Sequence, residues 1–401
     1  MILAMRNMSQ RSTQIYRALR AERVRLTPTT FAADRHLQEA LSWILVARER
    51  GTDGGIPAYY DLLRGRWRDS YPETTGYTIP TLLRCAEHFG RPDVYTIALS
   101  LADYLLEMRT PEGGVAHWDR RRAAAGIPIV FDTGQVIFGW LAAWRATQQP
   151  KYLDAARGAA DWLLRIQDSS GAWLKHQHLD QVKVIDTRVA LALVELGLEA
   201  ERPAYIAAAR RNLDWALSQQ QANGWFQRAS FRKDADPFTH TIAYTAEGLL
   251  ECGLLLKEAT YVTAAREVAD ALLRRQRPDG SLASTYDANW RASARSSCLT
   301  GNCQMALLWL RYYQQTGDVA FRRAAQRAIA FVASTQDVLT TDPCVRGAIA
   351  GSYPLYGSYE RLKYPNWAAK FFIDALLAWI AAPSEPSLTA AFNGSVAAAS
   401  A

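Results

Sequence analysis

The chain has 401 residues, of which 49% are hydrophobic and 21% charged, and its net charge is +7 at pH 7. This balance is typical of soluble globular proteins, and no apolar run reaches the roughly 18 residues that a membrane span requires. The basic N-terminus has no continuous apolar stretch, which argues against a secretory signal. Five cysteines at irregular spacing do not form a disulfide framework and predict reduced thiols in the cytoplasm.

Arginines are densest near the N-terminus and at Arg120–Arg122. Because no nucleic-acid-binding motif accompanies them, we interpret them as solvated surface and predict no nucleic-acid partner. Cysteines and histidines do not have the spacing of a zinc site, so we predict no metal and no cofactor. His176 and His178 are expected to be exposed loop residues.

Six glycine-centred turns divide the chain into similar segments. Their glycines lie 53 to 71 residues apart and are Gly54, Gly113, Gly171, Gly224, Gly280 and Gly351. A nearly fixed period of this size predicts a repeat architecture. Each repeat contains two predicted helices, and several of the breaks between them contain proline or glycine.

The predicted helices, in chain order, are Phe31–Arg48, Tyr77–Phe89, Val94–Met108, Gly134–Thr147, Tyr152–Ile166, Arg188–Leu198, Pro203–Ser218, Ile242–Leu256, Tyr261–Arg275, Asn302–Gln315, Val319–Thr335 and Trp367–Ile380. The helices that follow the glycine turns are the more apolar set, and those that precede the turns carry a polar stripe. A helix that is apolar on most sides is buried, whereas a polar stripe faces water. The pattern therefore predicts an all-α (α/α)6 toroid of six helical hairpins.

Three regions follow from this interpretation: a basic N-terminal extension at 1–29, the toroid domain at 30–382 and a flexible tail at 383–401. The first predicted helix has no partner within its own repeat, and neither has the last. We expect the N-terminal helix to pair with the C-terminal helix and so to close the ring. The oligomeric state stays open.

Two of the glycine turns have a glutamine before them and a tryptophan after them: Gln167 to Trp173 and Gln220 to Trp225. These segments resemble the QW repeats of the squalene-cyclase and prenyltransferase toroid superfamily. The resemblance implies a toroid over residues 30–382. It does not extend to the acid motif of that superfamily, because the nearest match, Asp234 to Pro237, lacks the second acidic pair.

A second resemblance lies in the segments Tyr71–Tyr77, Cys298–Asn302 and Tyr364–Lys370. They are similar to segments of toroid proteins encoded in bacterial polysaccharide gene clusters. This resemblance implies a role in glycan metabolism and names no reaction.

The starts of the six inner helices carry the candidate site, because ring closure brings them around one mouth. The candidate catalytic residues are Glu73, Asp132, Asp186, His240 and Tyr244. The candidate substrate-binding residues are Tyr77, Arg188, Asn302, Gln304, Asn366, Trp367, Lys370 and Tyr356. An alternative for Asp132 and Asp186 is that they are only N-caps of their helices.

Two mechanisms fit these residues. In one, two carboxylates among Glu73, Asp132 and Asp186 flank a glycosidic bond as acid and base or nucleophile. In the other, His240 and Tyr244, which share a helix face, exchange a proton at the carbon next to a uronate carboxylate or a sugar carbonyl. Arg188 or Lys370 is expected to neutralise the developing charge. We therefore predict a carbohydrate-active enzyme of hydrolase, lyase or epimerase type, acting on a neutral or anionic sugar.

Two other classes of protein function stay open. One is an isoprenoid-binding protein or terpenoid cyclase, which needs a deep aromatic cavity with an acidic pair. The other is a glycan-binding scaffold without catalysis, which would depend on the loop aromatics and not on the carboxylates.

Overall fold

The computed structural model describes residues 13, 15, 16, 18, 19, 22, 32–117 and 126–383. The first six of these are helical and belong to the predicted basic extension. The predicted tail from 384 onwards and the basic cluster at Arg120–Arg122 lie outside the described residues. None of the helices within the described ranges combines the length and the apolar character needed to cross a membrane.

Twelve long helices account for most of the described chain. In chain order they are α1 Ala33–Arg50, α2 Pro72–Phe89, α3 Pro92–Leu106, α4 Val130–Thr147, α5 Pro150–Ile166, α6 Thr187–Glu199, α7 Pro203–Leu217, α8 Thr239–Leu256, α9 Ala259–Leu273, α10 Leu299–Thr316, α11 Val319–Thr335 and α12 Asn366–Ala381. Most of them begin up to five residues before the predicted starts. Three outer helices, α3, α5 and α7, have proline at the first position, where the missing N–H would have no helical partner.

The helices form two concentric rings of six. The even-numbered helices contact one another in sequence from α2 to α12, and α12 returns to α2 to close the inner ring. Each inner helix packs against one outer helix, and α1 packs against α12. The predicted (α/α)6 toroid and its closure by the N-terminal and C-terminal helices are therefore confirmed. Aliphatic and aromatic side chains between the two rings form one continuous core.

A repeated glutamine contact joins neighbouring repeats. The side-chain amide of Gln167 donates to the carbonyl of Gly171 in its own turn and to that of Ala208 in the next outer helix, both at 2.9 Å. Equivalent pairs of bonds are made by Gln220, Gln276 and Gln336. The glutamine of the QW-like motif thus fixes the spacing of the outer ring, which explains its recurrence.

The last turn differs from its prediction. The glycine with left-handed backbone there is Gly347 (φ 78°), four residues before the predicted Gly351. A Cβ on Gly347 would lie 2.1 Å from the carbonyl oxygen of Glu39 in α1, so the turn can approach the next outer helix only without a side chain.

Two short sheets support the loops at the N-terminal ends of the inner helices. Strand β1 (Tyr59–Asp61) pairs antiparallel with β2 (Arg66–Trp67) and with β5 (Lys363–Pro365), and β3 (Ser297–Cys298) pairs with β4 (Ser352–Tyr353). The β1–β5 pairing ties the first glycine turn to the loop before α12. It therefore fastens the seam of the ring beside the mouth.

Candidate active site

A cavity of about 920 Å³, here called the front cavity, opens at the N-terminal ends of the inner helices. Helix starts supply part of its lining, and the loops before them supply the rest. The residues on which the chemistry depends are Tyr71, Glu73, Asp132, His178, Lys183, His240, Tyr244, Tyr359 and Trp367. The ring thus brings four of the five predicted catalytic residues, all except Asp186, to one cavity.

Asp132 is the centre of a buried hydrogen-bonded cluster on one wall. One of its carboxylate oxygens accepts from the Tyr71 hydroxyl at 3.2 Å, and the other lies 2.5 Å from Nδ1 of His117. The His117 ring lies 5.0 Å from that of His178. Asp132 sits inside the first turn of α4, whose N-cap makes no side-chain cap hydrogen bond. The alternative that Asp132 is only an N-cap is therefore wrong.

The Glu73 carboxyl lies within hydrogen-bonding reach of Asp132 and Tyr71. Burial and the negative charge of Asp132 raise the pKa of Glu73 well above its ordinary value. Both causes favour the protonated form of Glu73, so its carboxyl group can serve as a proton donor. The site therefore contains a proton donor beside a second carboxyl group, that of Asp132, which is held by Tyr71 and His117.

The opposite wall is aromatic. His240 is buried among Tyr244, Tyr359 and Phe231, with ring centroids 4.4, 5.4 and 6.4 Å away. Burial lowers the pKa of His240 to about 4, so its imidazole is neutral at physiological pH. Its Nδ1 lies 2.6 Å from Oε1 of Gln304, which places the ring proton on Nδ1 because an amide oxygen only accepts.

Asp186 does not border the front cavity. It is 1% exposed, and one of its oxygens accepts from the Gln177 amide at 2.8 Å while the other has no hydrogen-bond partner. Burial raises its pKa to about 7. The prediction that Asp186 is a catalytic carboxylate is wrong in its geometry, because the side chain points into the protein behind Gln177. It also makes no cap hydrogen bond to α6.

Arg188 and Lys370 were expected in the mouth, but they face the other end of the toroid. There they border a second cavity of about 670 Å³, here called the rear cavity, near the C-terminal halves of the inner helices. Arg188 pairs with Glu247, and Lys370 pairs with Asp374 at 2.7 Å. Tyr77 borders both cavities, so it lies in the partition between them.

Arg188 also packs against the back of the aromatic wall. Its guanidinium lies 4.9 Å from the ring centroid of Tyr244, and its Nε donates to Gln135 at 3.0 Å. Arg188 is the second residue of α6, and its long side chain extends along the inner ring to the rear cavity.

Three predicted binding residues hold loops together and do not border the front cavity. Asn302 bonds the backbone of Leu282 and Cys298. Asn366 donates to the carbonyl of Pro57 at 2.9 Å and so ties α12 to the first turn. Gln304 stands behind His240. Asn302 and Asn366, which lie at equivalent helix starts, therefore share the structural task of holding loops.

The last two predicted binding residues differ from each other. Trp367 borders the front cavity and donates from Nε1 to the Tyr359 hydroxyl at 2.9 Å. Tyr356 is 56% exposed and lies outside the cavity lining. Of the loop aromatics, Tyr359 takes the place that was expected for Tyr356.

Sequence reasoning missed Tyr71, His117, His178 and Lys183 as site residues. A signal existed for His117, because it follows the turn glycine Gly113 on the segment that returns to an inner helix. His178 and Lys183 give no comparable signal, since their approach to the cavity depends on the backbone of their loop.

Comparisons with known proteins agree with this architecture. Residues 131–330 match the family profile described as the ulvan lyase N-terminal domain. A search of curated protein sequences returns no match to this chain. Within the described residues, no group of three or more His, Cys, Asp or Glu side chains is placed to hold a metal ion.

Solved structures resemble nearly the whole chain. An unsaturated glucuronyl hydrolase from Bacillus sp. GL1, responsible for glycosaminoglycan degradation, matches with a TM-score of 0.69 and 16% identity over 86% of this chain and 96% of its own. An unsaturated glucuronyl hydrolase specific for heparin gives 0.68 and 15% over the same shares. Cellobiose 2-epimerase from Bacillus thermoamylovorans B4167 gives 0.68 and 12% over 86% and 97%. These are carbohydrate enzymes, so the terpenoid part of the QW resemblance gains no support from them.

Proposed function

We propose that this protein is a carbohydrate-active enzyme of polysaccharide metabolism that hydrates an unsaturated uronyl sugar at the end of an oligosaccharide. The observation that carries the proposal is the contact between the Glu73 and Asp132 carboxyl groups in the front cavity. The names of the similar glucuronyl hydrolases support the choice of substrate.

The contact between the carboxyl groups argues against direct hydrolysis of a glycosidic bond. Retaining glycosidases hold their two carboxyl groups roughly 5 Å apart, and inverting enzymes hold them farther apart, because the sugar or a water must fit between them. Glu73 and Asp132 are too close for either arrangement. A protonated and an ionised carboxyl side by side can instead donate a proton and accept one on the same face of a sugar ring.

This pair suits the hydration of an enol ether. An unsaturated uronyl ring has a carbon–carbon double bond whose inner carbon also carries the ring oxygen and the carboxylate. Glu73 donates a proton to the outer carbon, and the ring oxygen stabilises the positive charge that develops on the inner one. Asp132 takes a proton from the water that attacks there.

Release of the second sugar then follows without further catalysis by carboxylates. The hemiketal made by the added water opens to a ketone and leaves a hemiacetal at the anomeric carbon. That hemiacetal breaks and expels the neighbouring sugar as an alcohol. Tyr71 and His117 orient Asp132 through their hydrogen bonds to its two oxygens.

The aromatic wall supplies binding. Tyr359 and Trp367 border the cavity and are joined by a hydrogen bond, so they present a fixed apolar surface to the carbon–hydrogen face of a sugar. Tyr244 and neutral His240 can accept or donate hydrogen bonds to sugar hydroxyls. Tyr77, which borders both cavities, shapes the floor of the front cavity.

A lyase is the second candidate, supported by the match to the ulvan lyase N-terminal domain and by the 2.5 Å contact between His117 and Asp132. In that case His117 or Tyr71 removes the proton beside a uronate carboxylate, and protonated Glu73 delivers one to the leaving oxygen. A lyase creates the conjugated double bond that the proposed hydratase consumes.

The test follows ultraviolet absorbance of that double bond. With unsaturated uronyl disaccharides the proposed function predicts a fall in absorbance and release of the second sugar. With intact uronate polysaccharides the lyase predicts a rise in absorbance. No change with either class of substrate across several linkages would contradict both candidates and favour a glycan-binding scaffold.

We also propose that the protein acts in the cytoplasm. All five cysteines are unpaired, as expected in a reducing compartment. Fractionation of cells, followed by detection of the protein, tests this location.

A further inference from the structure

We infer that Lys183 is the specificity-determining residue of the front cavity and that it recognises the carboxylate of an acidic sugar. The inference rests on the proposed function only in that a saccharide occupies this cavity. It concerns which sugar binds and is independent of the bond that is made or broken.

Lys183 borders the front cavity although it is only 1% exposed. Its Nζ donates to the carbonyl oxygens of His178 at 2.5 Å and Gln181 at 2.8 Å. An ammonium group has three N–H donors. Two are satisfied by these carbonyls, and the third has no protein acceptor among the described residues.

Lys183 also has no direct ion pair, and the carboxylates of Asp186, Asp132 and Asp180 act on its charge only from a longer distance. Among the residues that the structure describes, no carboxylate oxygen lies within ion-pair distance of its Nζ. One of these carboxylates, Asp186, accepts a hydrogen bond from Gln177 instead. A buried charge without a counter-ion is expensive, and a bound carboxylate would supply both the missing charge and the missing acceptor.

The loop around Lys183 is built for this arrangement. His176, Leu179 and Asp180 all have left-handed backbone, with φ of 60°, 58° and 52°. Such conformations are uncommon outside glycine, and they concentrate at binding sites. Both carbonyls that hold Lys183 come from this loop, so the loop is folded around the ammonium.

A second lysine on this cavity, Lys363, has a carboxylate partner and provides a matched comparison. Lys363 also borders the front cavity, but it is paired with Glu360 at 2.8 Å and lies 4.3 Å above the Tyr59 ring. Its charge is already neutralised inside the protein. Lys363 is therefore expected to contribute little to the choice between acidic and neutral sugars.

The experiment compares two ligands by calorimetry: a disaccharide that ends in glucuronate and its counterpart that ends in glucose. The proteins are the wild type, Lys183→Met, Lys183→Gln, Lys183→Arg and Lys363→Met. Lys183→Gln retains a donor for the loop carbonyls, so it reports on charge if Lys183→Met fails to fold. Thermal unfolding of each variant checks the fold.

We expect the wild type to bind the glucuronate ligand about tenfold more tightly than the glucose ligand or better, since a desolvated charge pair is at stake. Lys183→Met and Lys183→Gln should reduce this preference to about threefold or less, whereas Lys183→Arg and Lys363→Met should keep it. A wild type without preference overturns the inference, as does a preference that persists in both neutral variants.

The outcomes separate this inference from the proposed function. A glucuronate preference that depends on Lys183 without any hydration activity supports the inference and contradicts the proposed reaction. Hydration activity together with a glucuronate preference that survives Lys183→Gln supports the proposed reaction and contradicts the inference about Lys183.

Discussion

The two ends of the toroid are made by the same six inner helices, yet their charged groups are arranged in opposite ways. In the front cavity the Glu73 and Asp132 carboxyls lie within hydrogen-bonding reach of each other. In the rear cavity carboxylates alternate with cations, as in the pairs Arg188–Glu247, Arg311–Glu251, Arg145–Glu195, Arg84–Asp374 and Lys370–Asp374.

The comparison shows which end is suited to catalysis. In the rear cavity the cationic partners lower the pKa values of the carboxylates, and the pKa of Asp374 lies below its ordinary value, although burial raises those of Glu195 and Glu251. A carboxyl beside another carboxyl in a buried site retains a proton that it can give to a substrate. The rear cavity therefore stabilises the ring, and the front cavity carries the proposed chemistry.

Glu73→Gln is expected to have the largest effect on activity. It removes the proton donor while retaining the size of the side chain, and the expected loss in kcat is about 10³-fold. Steady-state rates on an unsaturated uronyl disaccharide measure it. The matched control is Glu251→Gln at the rear, which should keep the wild-type rate within about threefold. Equal losses in the two variants would mean that the ends do not differ as described.

Glu247→Gln tests the rear end. It leaves the guanidinium of Arg188, whose side chain is 5% exposed, without a counter-ion, and the expected loss in unfolding free energy is about 3 kcal/mol. Denaturant unfolding measures it. Arg311 is 37% exposed, so Glu251→Gln should cost only about 1 kcal/mol or less. If both variants lose the same stability, burial does not distinguish the two pairs.

Asp186→Asn is expected to stabilise the protein at neutral pH. The folded-state pKa of Asp186 is raised from 3.8 to about 7. As the pH rises between these two values, the unfolded chain releases the Asp186 proton and the folded protein keeps it, so the free energy of unfolding falls. Asparagine never ionises. Its advantage in unfolding free energy should grow by roughly 1 kcal/mol per pH unit between pH 5 and pH 7. An advantage that stays constant over this range would show that Asp186 is ionised when folded.

The pH profile of kcat gives the smallest effect. Since the pKa of Glu73 is raised by burial and by Asp132, activity should persist into the neutral range and then fall as the pH rises through that raised value. The fall should approach tenfold per pH unit. Lys363→Met should leave the profile unchanged. Loss of activity toward acid, with a plateau at alkaline pH, would show that ionised Glu73 is the active form.

The fold could be predicted from the sequence because repetition makes the signal redundant. A glycine turn, a polar outer helix and an apolar inner helix recur, and the Gln167 contact recurs with them. Most helices begin earlier than predicted because residues interpreted as lying before the helix, such as Asp132 and Thr133, form its first turn.

The site was predicted less completely, for a related reason. Equivalent positions in the repeats share a backbone location, but their side chains point in different directions. Glu73 and Asp132 face the front cavity, whereas Arg188 reaches the rear cavity. Asn366 instead holds α12 to the first glycine turn. Direction depends on side-chain length and on neighbouring loops. Lys183 shows the limit, since only the left-handed backbone of its loop brings it to the cavity.

The contact of Gln336 with the carbonyls of Gly347 and His36 has a consequence for synthesis. The helix that contains His36 must wait on the ribosome until about 300 further residues have been made before its partners exist. Contacts between segments that are far apart in the sequence slow folding. Until α12 is made, the apolar face of α1, which includes Leu37, Leu41 and Ile44, lacks the helix that covers it in the ring. We therefore expect a chaperone that covers α1 to raise the yield of native protein.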